Sequence, residues 1–177
     1  MGFRPKCAKD FSNAGEPRVN KIQRLIEECK YSIHDISGTE LDRLNGLPRF
    51  NMPLELGIDL GCKRYGKPHN QEKVILILDV ARFRYQEFMS DIAGQDVEAH
   101  NGIERDAIEA VRNWLRLEMD PKSVSTPSGA LIFERYQTFR NTLPTICLKL
   151  NWDLRTLPFS DFSWAVAVGS LIILLAS

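Results

Sequence analysis

What this chain lacks narrows its chemistry first. Among 177 residues there is no GxGxxG run, no Walker-type phosphate loop, no HExxH pair and no Cys/His cluster. A conventional dinucleotide or ATP enzyme is therefore disfavoured, and no metal site is expected. The four cysteines, Cys7, Cys29, Cys62 and Cys147, stand singly without a CxxC pair. That pattern fits reduced thiols better than a disulfide framework or a zinc site. Net charge is lacking too: Lys plus Arg and Asp plus Glu number 23 each. No excess of either sign argues for nucleic acid or for an anionic membrane surface. The N-terminal residues carry no apolar core of a signal peptide, so the cytoplasm is the expected compartment. Internal repeats and low-complexity tracts are absent as well.

What is present reads as a globular α/β chain. Apolar residues make up 44% and charged residues 26%, and the length suits one domain with a substantial core. The domain is expected over residues 1–152, followed by an apolar tail over 153–177. From Phe162 to Ser177 the tail has no charge, and Ala165–Ala176 is almost wholly apolar. That run is shorter than the roughly 20 residues that span a bilayer, and it has no basic flank. Three readings stay open: a buried terminal helix or strand, a non-native end of the reading frame, or a tail anchor.

The segments place the motifs. Gly2–Ala8 reads as a weak strand, since Pro5 rules out a central hydrogen-bonded position. Val19, Ile22, Leu25, Ile26 and Cys29 repeat at helical spacing, followed almost at once by a strand from Tyr31 to Ile36. Gly38–Phe50 is a loop rich in turn residues. Asn51 is the expected N-cap of a helix with Pro53 in its first turn, running to about Tyr65–Gly66. Lys67-Pro68-His69-Asn70 is a turn. Val74–Leu78 is an unbroken apolar run, as in a strand buried on both faces of a parallel sheet. Arg82–Ile92 is expected to be helical and Val97 to lie in a short strand. Ile103, Ala107, Ile108, Val111, Trp114 and Leu115 form an amphipathic helix. Ser123–Gly129 is a loop, and a last helical region carries Phe133, Tyr136 and Phe139.

Candidate chemistry gathers where ligands sit in open α/β sheets, outside the carboxyl ends of the strands. Asp35-Ile36-Ser37 ends one strand and Asp79 ends another, both expected at the same end. A carboxylate and a hydroxyl there can hold ribose hydroxyls or an amide. They can equally cap their own loop, and both readings stand on the residues alone. Glu55, near the start of its helix, is favoured there by the macrodipole. It also suits cleavage of a sugar–base bond, because a carboxylate stabilises or attacks the cation-like sugar. Gly57 is expected to let this helix approach a strand closely. Arg49 and Asn51 flank Phe50 in the loop leading into the helix. An Arg beside a helix N-terminus suits phosphate, while Phe50 either stacks on a base or staples the helix start. The expected catalytic pair is Glu55 and Asp35, with Ser37, Arg49, Phe50, Asn51 and Asp79 binding substrate. His34 alternates away from Asp35 and reads as structural, and His100 falls where it can share the strand ends.

Three strings carry a family resemblance: Ile33-His-Asp-Ile-Ser37, Asn51-Met-Pro-Leu-Glu-Leu-Gly57, and Gly66-Lys67-Pro68 before the Val74–Leu78 strand. Together they resemble the Toll/interleukin-1 receptor (TIR)-like and nucleoside 2-deoxyribosyltransferase-like superfamily, in an uncharacterised bacterial branch. The resemblance implies a three-layer, doubly wound, flavodoxin-like parallel sheet. It implies cleavage or transfer at the N-glycosidic bond of a nucleoside or of NAD, with NAD a substrate and no cofactor required. The helix carboxylate's role falls to Glu55, and that of the substrate-orienting Asp to Asp35. Many relatives only bind or signal. The alternative is therefore a non-catalytic nucleotide-sensing or interaction domain in bacterial stress or phage-defence signalling. Such folds open with a βα unit ahead of the segment matching Gly2–Ala8, so the sheet is expected to lack its first βα unit. Self-association, or packing of the apolar tail, is then expected to cover the exposed strand.

Overall fold

Two runs of β-branched and leucine residues set the frame. In the computed structural model, which describes residues 3–11, 13–41, 46–119 and 126–175 with side chains through residue 169, they form adjacent parallel strands. In chain order the elements are α1 (Arg18–Glu28), β1 (Tyr31–Asp35), α2 (Asn51–Tyr65), α3 (Pro68–Gln71), β2 (Val74–Asp79), β3 (Val97–Ala99), α4 (Glu104–Leu117), α5 (Gly129–Lys149) and α6 (Phe159–Leu175). Short 3₁₀ turns cover Ala8–Asp10, Arg84–Glu87, Ser90–Ile92 and Leu154–Thr156. The sheet has three parallel strands in the order β1-β2-β3. β2 is the interior strand, which explains why its sequence is continuously apolar rather than alternating.

Strand alternation decides what each face buries. Ile36, Ile77 and Val97 face α2, where Leu56 and Tyr85 complete the main core cluster. Leu76 and Leu78 point the other way and are buried, on the face that α4 covers through its contacts with β2 and β3. α1 packs on α2, α5 on α4, and α6 on α5. Helices therefore lie on both faces of the sheet.

Several local expectations need correction. Gly2–Ala8 forms no strand in its described part: residues 3–7 run without secondary structure beside β1, and Pro5 has no N–H to donate. Arg82–Ile92 is two 3₁₀ turns rather than one helix. Phe83 takes φ 64° at the start of the first turn, and that left-handed conformation cannot continue a helix. The Lys67–Asn70 turn closes into the one-turn helix α3. Part of the predicted Gly38–Phe50 loop, including Asn45, and residues 123–125 of the Ser123–Gly129 loop lie outside the described residues.

The apolar tail is a helix docked on α5. The Phe139 and Phe162 rings meet edge to face at 5.9 Å, as do Trp152 and Trp164 at 5.7 Å. Ala165 is fully buried. Among the described residues no helix is long and apolar enough to cross a membrane.

Candidate functional site

The carboxyl ends of the three strands hold a connected group of polar side chains. Asp35 ends β1 and accepts the Ser37 backbone N–H at 2.9 Å, an Asx turn that folds the chain back over the strand end. The Asp35 side chain remains about half exposed. Asp79 ends β2 and is fully buried. Its Oδ1 accepts the Val80 N–H at 2.7 Å and Arg84 Nε at 2.9 Å, with Arg84 Nη2 at 2.5 Å. The same Nη2 donates to the carbonyls of Ile36 and Ser37, each at 3.2 Å. One guanidinium thus ties the ends of β1 and β2 together. All three donors converge on Oδ1, and Asp79 Oδ2 is buried with no hydrogen-bond partner among the described residues.

His100 follows β3 directly, and its backbone N–H extends the ladder to Asp79 O at 3.0 Å. Asn101 and Gly102 both take positive φ, 55° and 69°. This tight reversal brings the Gly102 N–H to 3.1 Å from His100 Nδ1. An N–H donating to Nδ1 makes that nitrogen an acceptor, so the neutral ring carries its proton on Nε2. Nε2 faces Asp35 Oδ1 at 3.5 Å. The pair spans the outer strands and passes over the end of β2.

Glu55 reaches this end of the sheet through the course of α2. Leu56 packs with Ile36 at the carboxyl end of β1. One turn later, Asp59 meets His34, two residues earlier on the strand. α2 therefore runs antiparallel to β1, and Glu55 stands at the carboxyl end with Asp35. It is half-buried, and among the described residues no hydrogen bond or ion pair holds it. Three expectations about this helix change. Phe50, not Asn51, is the N-cap residue, its carbonyl accepting the Leu54 N–H at 2.9 Å. Glu55 consequently lies just past the first turn, where no acidic residue stands, and the macrodipole argument for it weakens. Gly57 is exposed and faces open space, so it serves no close approach to a strand.

The structure thus joins Asp35, Ser37 and Asp79 in one network and sets Glu55 at the same end without contact. Phe50 and Asn51 are exposed at the start of α2, and Arg49 is exposed just before it.

Neither a family model, nor a curated protein, nor a solved structure matches this chain.

Sequence reasoning missed Arg84 and the partner of His100. Arg84 follows Asp79 by five residues, a spacing that became informative only once the intervening segment proved to be a tight turn. His34 is buried, as its inward register requires, and its Nε2 lies 2.8 Å from Asp59 Oδ2. Lys73 Nζ faces Asp59 Oδ1 at 3.2 Å as an ion pair, and donates to the carbonyls of Ile26, at 2.6 Å, and Cys29. Burial by itself would raise the Asp59 carboxyl. The hydrogen bond with His34 and the charge of Lys73 outweigh it and hold the group below the ordinary carboxylate range. This cluster lies toward the amino end of the sheet and is sealed from solvent. It joins α1, β1, α2 and the start of β2 rather than serving the carboxyl end. Among the described residues, no group of three or more His, Cys, Asp or Glu is arranged to hold a metal ion.

Proposed function

We propose that the carboxyl end of the sheet binds a nucleoside or nucleotide and that Glu55 acts there on an N-glycosidic bond. The observation that supports this reading is the antiparallel docking of α2 on β1, which sets Glu55 toward the end of the sheet where β1 and β2 end in Asp35 and Asp79. In this reading the sheet belongs to a doubly wound, flavodoxin-like arrangement of the TIR-like and deoxyribosyltransferase-like kind, in a cytoplasmic protein. Asp35, half exposed and faced by His100 Nε2–H, accepts hydrogen bonds from ribose hydroxyls. Ser37, Arg49, Phe50 and Asn51 line the approach for sugar, phosphate and base. As the bond from C1′ to the base nitrogen breaks, its electron pair leaves with the base and positive charge grows on the sugar. The Glu55 carboxylate stabilises that charge or bonds to C1′. Water, or the nitrogen of a second base, then bonds to C1′, displacing the Glu55 carboxylate where that had bonded, and the proton it loses passes through solvent to a base that left as an anion.

The test is release of free base from a panel of nucleosides and dinucleotides, NAD among them. Glu55→Gln is expected to reduce release by at least about 100-fold while leaving the melting temperature unchanged, because no partner holds Glu55. Turnover surviving the substitution would refute the role.

A second reading is favoured by the same lack of partners. A catalytic carboxylate is normally oriented by its neighbours, and Glu55 is not. A sensor or interaction domain that binds nucleotide without turnover accommodates that freedom. It predicts thermal stabilisation by ligand, about 2.7 kcal/mol at a hundredfold excess over Kd, with no base released.

A further inference from the structure

β1 pairs on one side only. In the order β1-β2-β3 it is a lateral strand of the sheet, and its hydrogen-bonding register fixes which groups face outward. Val74 N–H donates to Lys30 O, and Ile36 N–H donates to Leu78 O, both at 2.9 Å. In a parallel ladder the residues that bond one neighbour alternate with those that face the other side. Lys30, Ser32, His34 and Ile36 therefore turn their backbone to β2, and Tyr31, Ile33 and Asp35 turn theirs away. No described residue takes those outward groups.

Strand edges in native proteins are commonly blunted by Lys, Pro or a bulge, and β1 has none of these within its five residues. Instead a groove of about 760 Å³ runs along the free side, walled by α1 and α4 and lined by Phe3, Leu25, Tyr31, Ile33 and Trp114. Ile33 is 43% exposed within it. The Phe3, Tyr31 and Trp114 rings form an edge-to-face row at 5.3 and 6.0 Å. The rim is cationic. Lys6 is paired with Glu28 at 3.0 Å, while Arg4 and Lys30 have no carboxylate partner among the described residues, Lys30 lying 5.6 Å over the Tyr31 ring.

We propose that this groove accepts an extended peptide segment from another protein as an added strand. Its main chain bonds the outward groups of Tyr31, Ile33 and Asp35, and alternate apolar side chains lie along the aromatic row. Its acidic end lies at Lys30 and Arg4. Only an extended backbone satisfies a one-sided row of alternating donors and acceptors, which is the strand-addition mode of peptide recognition. The uncompensated cations select the acidic end.

The experiment uses the full chain and two synthetic heptapeptides with the same alternating Val-Thr core, one opening Glu-Asp and the other Lys-Lys. Amide hydrogen exchange is read at Tyr31, Ile33 and Asp35, and affinity by titration. The acidic peptide is expected to protect those three amides and to bind at least tenfold more tightly than the basic one. The double substitution Arg4→Glu with Lys30→Glu is expected to reverse the preference. Ile33→Pro, which removes an outward N–H and leaves the β1–β2 ladder intact, should abolish protection at unchanged fold. Absence of protection by either peptide overturns the proposal, as does equal binding of the two. Protection without peptide, in protein that sediments as a dimer, would assign the edge to a second copy and overturn it as well.

Discussion

Asp59 on α2 and His34 on β1 meet at 2.8 Å with almost no solvent reaching either side chain. Lys73, also buried, stands 3.2 Å from the other carboxylate oxygen. The Asp59 charge is the one anion between a buried lysine and a buried histidine. Removing one member of a buried ion pair strands its partner and is strongly destabilising, by about 3–5 kcal/mol. Asp59→Ala is therefore expected to cost about that much in urea unfolding. Lys73→Met should cost less, because Asp59 keeps the hydrogen bond with His34. The double variant should fall well short of the sum of the two, giving a measurable coupling.

The same carboxyl sets an acid limb of stability. Its folded value is depressed, so between that value and the unfolded value of about 3.9 the unfolded chain binds more protons. Stability contributed by Asp59 is thus fully present above the unfolded value and is lost as pH falls through the folded one. Unfolding free energies measured from pH 6 downward should show this loss in the wild-type chain. The acid slope should be shallower in Asp59→Asn.

Arg84 carries the corresponding load at the carboxyl end. It supplies two of the three donors to Asp79 Oδ1 and bonds two carbonyls following β1. The Arg84 guanidinium also lies 5.0 Å over the Phe88 ring, and Arg84→Met removes that contact and leaves Asp79 with the Val80 N–H alone. A loss of about 3 kcal/mol is expected, following the cost of an unpaired buried charge. Ligand-induced stabilisation should weaken in parallel, since the ends of β1 and β2 lose their common tie. An unchanged urea midpoint would mean that solvent already shares the Asp79 charge.

The sheet was largely legible in the sequence because its signals are local. Val74–Leu78 is continuously apolar, and it is the interior strand. Tyr31–Ile36 alternates in a way that put His34 inside and Asp35 outside. The helix at 104–117 followed from its apolar spacing. What could not be read depends on long-range partners or on single backbone residues. Asp59 sits in an apolar helix run and gains meaning only from His34, 25 residues earlier, and Lys73. The Arg82–Ile92 segment has helical composition, yet one left-handed residue, Phe83, turns it into separate 3₁₀ turns. For the candidate site, Asp35, Asp79 and Glu55 were found as strand and helix ends. The Arg84 tie and the His100 tautomer arise from loop geometry that no spacing encodes.

Two glycines in helices should respond in opposite directions to the same added methyl group. Gly57, inside α2, is exposed, and a Cβ there meets open space. Gly57→Ala then removes only the excess freedom of the unfolded chain, and a gain of about 0.5–1 kcal/mol is expected. Gly169 is buried in α6, where a Cβ would lie 2.9 Å from Phe139 Cδ2 and 3.3 Å from its Cε2. The Phe139 ring is itself held against Phe162 and has little room to turn. Overpacking of that kind typically costs about 1–3 kcal/mol, against about 1 kcal/mol of helix propensity gained. Gly169→Ala should therefore lower the melting temperature where Gly57→Ala raises it. Equal stabilisation by both would show that α6 is not seated on α5 in solution.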